Sequence, residues 1–179
     1  MSITLNPPDG PWTVQDLAPQ ADYRIEVREG NLLIMPPATL WHSQVARRMA
    51  NALESMGLPA VTAVGIMRSP RSTRVADVAI FHTAEADLHQ AFWPPGEIAT
   101  VVEVVADSSE EDDRIAKPHW YASAGIPEFW RAERSEVDGD AVVFQHQLAR
   151  TADGQSAYVQ SGVTTLTALE SEAHTPDEG

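Results

Sequence analysis

Ile98-Ala99-Thr100-Val101-Val102-Glu103-Val104-Val105 decides the fold. The run is almost wholly apolar and β-branched, which reads as a strand buried on both faces of its sheet. Such a strand needs a covering layer on each side, so the chain is expected to be an α/β (α+β) protein with a central mixed β-sheet flanked by helices. Glu103 interrupts the run, and a lone carboxylate in that setting is costly to desolvate unless it is paired, hydrogen-bonded or bound to a metal.

Working outward, Val75-Ala76-Asp77-Val78-Ala79-Ile80 repeats the pattern, again with one acid in apolar company. Two carboxylates on neighbouring strands can hold one hard cation. Magnesium takes one or two carboxylates, keeps several waters and accepts phosphate oxygens, so a pair of acids beside an open face is enough. Lys117 is the only lysine, whereas arginine supplies the remaining eleven of the twelve basic residues. A compact ammonium differs chemically from a planar, always-charged guanidinium, and catalytic sites use that difference.

The other segments supply the layers. Residues 1–11 read as an irregular arm rich in proline, and Thr13 as the cap of a short helix running to about Ala18. Tyr23, Ile25 and Val27 alternate with polar neighbours, Glu29-Gly30-Asn31 offers a turn, and Leu32 to Met35 completes a hairpin. From Thr39, an N-cap, Val45, Met49, Leu53 and Met56 recur at helical spacing up to Gly57. Strands are expected over 60–67 and 74–81, joined by a loop at Ser69-Pro70-Arg71-Ser72. Asp107, Ser108 and Ser109 supply caps for a second helix that carries Ile115, Trp120 and Tyr121 and closes at Gly125. Phe129-Trp130 begins another strand, Asp138-Gly139 marks a hairpin turn before a strand over 141–148, and 158–161 reads as an edge strand. A single domain spanning 1–169 and an acidic tail without regular structure over 170–179 are expected.

No cysteine occurs among the 179 residues, which excludes a disulfide framework and a thiolate metal cage and favours a reducing cytoplasm. Met1 to Pro8 lacks a charged-then-apolar leader pattern, and no apolar run approaches the length of a membrane span. The formal net charge of −14 repels a polyanion, so a nucleic-acid role requires a local basic patch or metal ions. Arg68, Arg71 and Arg74 lie within seven residues and form the candidate DNA-binding lip; the ordinary alternative is a solvated loop.

The chain resembles the Uma-type restriction endonuclease family of the PD-(D/E)XK nuclease superfamily. The resemblance is carried by Glu29-Gly30-Asn31-Leu32-Leu33-Ile34-Met35-Pro36-Pro37, a following helix bearing His42, Ala76-Asp77-Val78-Ala79 and Val101 to Ser109. Asp113, Lys117, Tyr121 and Ala124-Gly125-Ile126-Pro127-Glu128-Phe129-Trp130 complete it. It implies a restriction-endonuclease-like fold and a Mg2+-dependent (or Mn2+-dependent) endonuclease acting on DNA, with a homodimer by analogy. Asp77 and Glu103 would be metal ligands and catalytic, and Lys117 would replace the lysine that the superfamily motif places at the position of Val105. His42, Asp113 and Tyr121 would support the site. Ala76 stands where the family has proline, Ala106-Asp107 where it has Ser-Pro, and Pro118 follows the candidate lysine inside a helix, where it is expected to kink the chain.

Each candidate has an ordinary structural role as its alternative. Asp77 could satisfy backbone N–H groups at a strand end, Glu103 could pair with Arg74 or Arg68, and Lys117 could form an i,i+4 pair with Asp113. A non-catalytic binding or regulatory module is therefore the second reading. A metal-independent glycan hydrolase using both carboxylates as an acid–base pair is a third.

Overall fold

A computed structural model describes residues 10–16, 24–35, 37–84, 87, 89–106, 111–137 and 139–174. Tyr23 and the expected caps Asp107, Ser108 and Ser109 lie outside the described residues. Among those described, the strands form one sheet in the order β2 (Asn31–Ile34), β1 (Ile25–Arg28), β4 (Ser72–Phe81), β6 (Ile98–Val104), β7 (Glu128–Arg134), β8 (Ala141–Arg150), β9 (Ser156–Thr165), with β3 (Ala60–Ser69) pairing both β4 and β5 (Phe92–Trp93). The pairing is mostly antiparallel, but β6 runs parallel to β7 and β3 parallel to β5, so the sheet is mixed as expected.

The first hairpin is β1 (Ile25–Arg28) and β2 (Asn31–Ile34). Its two-residue turn, Glu29-Gly30, has positive φ at both positions (53° and 80°), the geometry whose twist matches that of the flanking strands. Trp12 N–H donates to Gly30 O at 2.7 Å and Val14 N–H to Pro70 O at 2.8 Å, tying the N-terminal segment to two turns. Thr13 precedes a 3-10 turn, Val14–Asp16; the rest of the expected short helix, to Ala18, lies outside the described residues.

Helix α1 (Leu40–Ser55) starts at Thr39, whose hydroxyl accepts from His42 N, and ends where Gly57 takes φ of 80°. Strands β3 (Ala60–Ser69) and β4 (Ser72–Phe81) make a long hairpin closed by Pro70-Arg71. The expected loop is thus a tight turn, and Arg68 and Arg74 belong to the strands. β5 (Phe92–Trp93) is a short addition, and β6 (Ile98–Val104) is the central strand.

Burial of β6 on both faces is realised by two cores. Val102 and Val104 pack with Val78, Val45, Met49 and Leu53 under α1. Ile98 and Val101 pack with Phe81, Phe129, Trp120 and Tyr121 under the second helix. Helix α2 (Lys117–Ser123) is entered through a π-helical turn, Asp112–Ala116, in which Lys117 N–H donates to Asp112 O. Pro118 follows this widened turn near the helix start, where its missing N–H costs little.

Beyond it come β7 (Glu128–Arg134), β8 (Ala141–Arg150) and β9 (Ser156–Thr165), the last much longer than the edge strand expected over 158–161. Helix α3 (Leu166–Ala173) starts at Thr165, whose hydroxyl accepts from Ala168 N, and packs Leu166 and Leu169 into the α1 core. Glu170 and Glu172, assigned to an irregular tail by composition, lie in this helix, and Glu170 pairs with Arg48 at 2.7 Å. No described helix is long and apolar enough to cross a membrane.

Candidate active site

The site lies in a fork of the sheet. One edge of β4 is shared by two partners: β6 pairs with Val78 to Phe81, and β1 touches β4 at Ser72. Between those pairings β1 and β6 diverge, and side chains replace the missing ladder. Glu26 Oε1 accepts from Val75 N at 3.0 Å, Thr73 Oγ1 accepts from Val27 N at 2.8 Å, and Asp77 Oδ2 accepts from Val104 N at 2.7 Å. On the opposite edge, β3 pairs with β4 on either side of Asp77, and Ala63 between those pairs has φ of 56°. Asp77 therefore sits where regular pairing of β4 lapses on both edges.

The antiparallel register that pairs Ala79 with Val101 and Val78 with Val102, carried one residue further, sets Asp77 beside Glu103. Side chains at such positions leave the same face, here the face covered by α2. Glu103 is fully buried, and α2 closes over it: Lys117 Nζ donates to Oε2 at 2.7 Å, and Tyr121 Oη donates to Oε1 at 2.6 Å. Lys117 Nζ also lies 2.8 Å from Asp113 Oδ1. His42 Nε2 is 3.1 Å from Asp77 Oδ2. All six residues singled out for the site from sequence, the three candidates for chemistry and the three for support, are thus brought together.

The ordinary structural roles prove partly real. Asp77 does satisfy a backbone N–H and Lys117 does make its i,i+4 pair, but each does so as part of the cluster. Glu103 pairs with Lys117 and with a residue that sequence reasoning missed. Arg24 Nη1 binds Asp77 Oδ1, and its Nη2 donates to Val75 O and lies 3.6 Å from Glu103 Oε2. Glu26, also missed, is fully buried and accepts from Arg28 Nη2 at 3.1 Å. In sequence, Arg24, Glu26 and Arg28 alternate with Ile25 and Val27 like the wet side of a two-faced strand, and nothing local shows that this side is covered.

Electrostatics separates the two carboxyls. Burial works to raise Asp77, but the His42 hydrogen bond and the charges of Arg24 and Lys117 prevail and hold it well below the usual carboxylate range. Glu103 moves the other way: burial raises it, and the charges of Asp77 and Asp113 oppose the help it receives from Lys117 and Arg24. Tyr121, raised by burial and by Glu103, stays a neutral phenol able to donate.

The expected basic lip is not one patch. Arg74 is buried, with Nη1 3.8 Å from Glu26 Oε2 and its guanidinium 5.5 Å from the Trp120 ring. Arg68 donates to Ser123 Oγ at 2.7 Å, and its guanidinium lies 5.4 Å from the same ring. Arg71 is exposed in the turn. A separate cleft of about 270 Å³ beside α2 is lined by Arg114, His119, Arg131, His146, Phe129 and Tyr158, among others.

A mixed sheet with helices on both faces and acids at a fork of its central strands defines a nuclease-like fold, and the comparisons agree. The chain aligns over 91% of its length, and over 99% of the other chain, with the "Crystal structure of a putative nuclease belonging to DUF820 from Anabaena variabilis", at a TM-score of 0.60 and 14% identity. The profile of the Uma2 family, described as "Putative restriction endonuclease", matches residues 13–172, and the chain belongs to that family. No curated protein matches it.

Restriction-endonuclease-like families generally use a divalent ion. Among the described residues no group of three or more His, Asp or Glu is arranged to hold one; the donors that the described residues offer are the carboxylate pair, and magnesium accepts such a pair with water and phosphate completing the shell. The pair fits a cation. Arg24 already places a positive group between Asp77 and Glu103, marking that space as one where positive charge is favourable.

Proposed function

We propose that the protein is a divalent-metal-dependent endonuclease that hydrolyses phosphodiester bonds of DNA, working in the cytoplasm as a homodimer. One observation carries the reading: Asp77, Glu103 and Lys117 converge in the fork between β1 and β6, on the face beneath α2. Asp77 and Glu103 would hold Mg2+ or Mn2+, and the bound ion would polarise the phosphoryl oxygen and lower the pKa of an attacking water. His42 and Val104 N–H fix one oxygen of Asp77, while Tyr121 fixes one of Glu103, so neither carboxylate needs to reorganise. The Lys117 ammonium, held between Glu103 and Asp113, is placed to stabilise negative charge developing on the phosphate. Arg24 and His42 are the more exposed members of the cluster, so the substrate approaches from their side. Arg68 and Arg71 remain the proposed outer contacts to the DNA backbone, with Arg74 acting from behind through Trp120. A duplex has two strands to cut, which is the argument for two copies.

The test is cleavage of supercoiled and linear DNA by the purified protein with Mn2+ or Mg2+, with chelator, and with Asp77→Asn and Glu103→Gln. Ion-dependent cuts lost in both variants are expected. Cutting that survives chelation would favour the acid–base pair, and cutting unchanged in Asp77→Asn would discard the assignment. The second reading, a nuclease fold retained for binding, is favoured by the net charge of −14 and by Arg24 on Asp77; ion binding without cleavage of any DNA would establish it.

A further inference from the structure

The carboxylates at the fork already share a cation, and it is the protein's own. Arg24 enters from the start of β1, binds Asp77 Oδ1 through Nη1 and approaches Glu103 Oε2 to 3.6 Å through Nη2. The two other oxygens have donors from inside the fold, Val104 N–H and His42 for Asp77 Oδ2 and Tyr121 for Glu103 Oε1, and Glu103 Oε2 is shared with Lys117. Lys117 and Tyr121 are enclosed by α2, at 2% and 0% exposure. Arg24 keeps 23% of its side chain exposed, so it can leave without moving a helix. Arg24 holds Asp77 Oδ1, the oxygen of the pair that has no donor from inside the fold, and Lys117 already adds a second positive charge at Glu103, so a dication seated on the pair must take the place of this guanidinium.

We propose that Arg24 is an internal stand-in for the metal: guanidinium and divalent ion occupy the carboxylate pair in alternation, and the displaced guanidinium becomes a contact to the DNA phosphate. The idea rests on the metal-dependent reading above. A guanidinium fork matches phosphate oxygens in a bidentate manner, and the tether at Ile25 keeps the displaced group beside the site. Ion and DNA binding then help one another, because the phosphate gives Arg24 a new partner when the ion takes its old one. Such coupling is reciprocal by thermodynamic necessity.

The experiment is calorimetric titration of the full chain with Ca2+, which occupies oxygen sites, with and without a short DNA duplex, comparing the native protein, Arg24→Gln, Arg24→Lys and Asp77→Asn. Arg24→Gln is expected to bind Ca2+ at least about tenfold more tightly than the native protein in the absence of DNA, and to lose the enhancement that DNA confers. Arg24→Lys should stay close to native. Equal or weaker Ca2+ binding by Arg24→Gln overturns the inference while leaving the metal site intact, provided that Asp77→Asn abolishes binding. Absence of binding in all of them overturns both readings. Should Arg24→Gln unfold, the native protein suffices: the Arg24 Nε–H resonance must shift on Ca2+ addition, and a static resonance sinks the idea.

Discussion

Lys117 donates to Glu103 Oε2 at 2.7 Å across fourteen residues of chain. The superfamily motif draws its lysine from the same strand as the second acid, two residues on, where this chain has Val105. In the proposed site a helix supplies the ammonium instead. The side chain at 105 would leave the same face as Glu103, yet Lys117 reaches the carboxylate from above because α2 is packed onto that face through Trp120 and Tyr121. The ammonium is set by tertiary packing and does not depend on strand alternation.

Replacing Lys117 by Met should therefore cost more than activity. Glu103 and Asp113 would face each other in a dry interior without their counter-charge, and breaking a buried pair in this way costs about 3–5 kcal/mol. Urea denaturation should show that loss. Lys117→Arg, which keeps charge but not shape, should fold and fail to cleave DNA; a fully active arginine variant would remove the case for a compact ammonium.

Ala63 carries φ of 56° beside Asp77, a conformation that costs a residue with a Cβ about 1–2 kcal/mol. Ala63→Gly should thus stabilise the fold by about 0.5–1 kcal/mol after the extra freedom it gives the unfolded chain is deducted. The midpoint of chemical denaturation reads this directly. A lower midpoint would show that the methyl group contributes more than its backbone strain takes away.

Arg68 and Arg71 reversed to Glu should weaken binding of a fluorescent duplex by about tenfold or more at low salt and flatten its salt dependence, as loss of phosphate contacts does. Arg74 is unsuitable for the same test because its burial against Glu26 and Trp120 ties it to folding. Unaltered affinity in the double variant would remove the lip from the account and direct attention to the Arg114 and Arg131 cleft.

His146 lines that cleft, where burial, assisted by the Arg131 charge, lowers it below its ordinary 6.5 against the pull of its hydrogen bond to Phe129 O. A histidine depressed in the fold is protonated more readily when unfolded, so its contribution is intact above 6.5 and fades as the pH drops through the folded value. Melting temperature should fall from neutral toward pH 5, and less so in His146→Gln. Parallel curves for the two proteins would place the dependence elsewhere.

Much of this architecture was readable from local pattern. Thr39 and Gly57 bracket α1, Glu29-Gly30 turns the first hairpin, and the β-branched run at 98–105 announced a central strand with helices on either side. Glu103, Asp77 and Lys117 stood out because each is a charge among apolar neighbours. Arg24 and Glu26 did not, since an alternating strand gives no hint that its polar side is roofed. Arg74 was placed with Arg68 and Arg71 by proximity in sequence, but Trp120 of α2 and Glu26 of β1 cover it, contacts that no local pattern shows. Helix α3 was hidden by the acids at 170 and 172, whose charge suggested a tail, whereas its anchoring depends on Leu166 and Leu169 finding α1 across the fold.

The π-helical turn at Asp112–Ala116 amounts to one residue more than an α-helix would use over the same path. Excising a single codon from it should leave an ordinary α-helix over that path with both ends in place, whereas adding one would swing everything upstream about 100° around the helix axis, parting Asp112 from Arg28 on β1 or Lys117 from Glu103. Loss of one residue here should be tolerated where gain of one is not, and Ile115, exposed within the turn, tolerates exchange. Growth of this segment, more than a change in its composition, is what heredity must guard against.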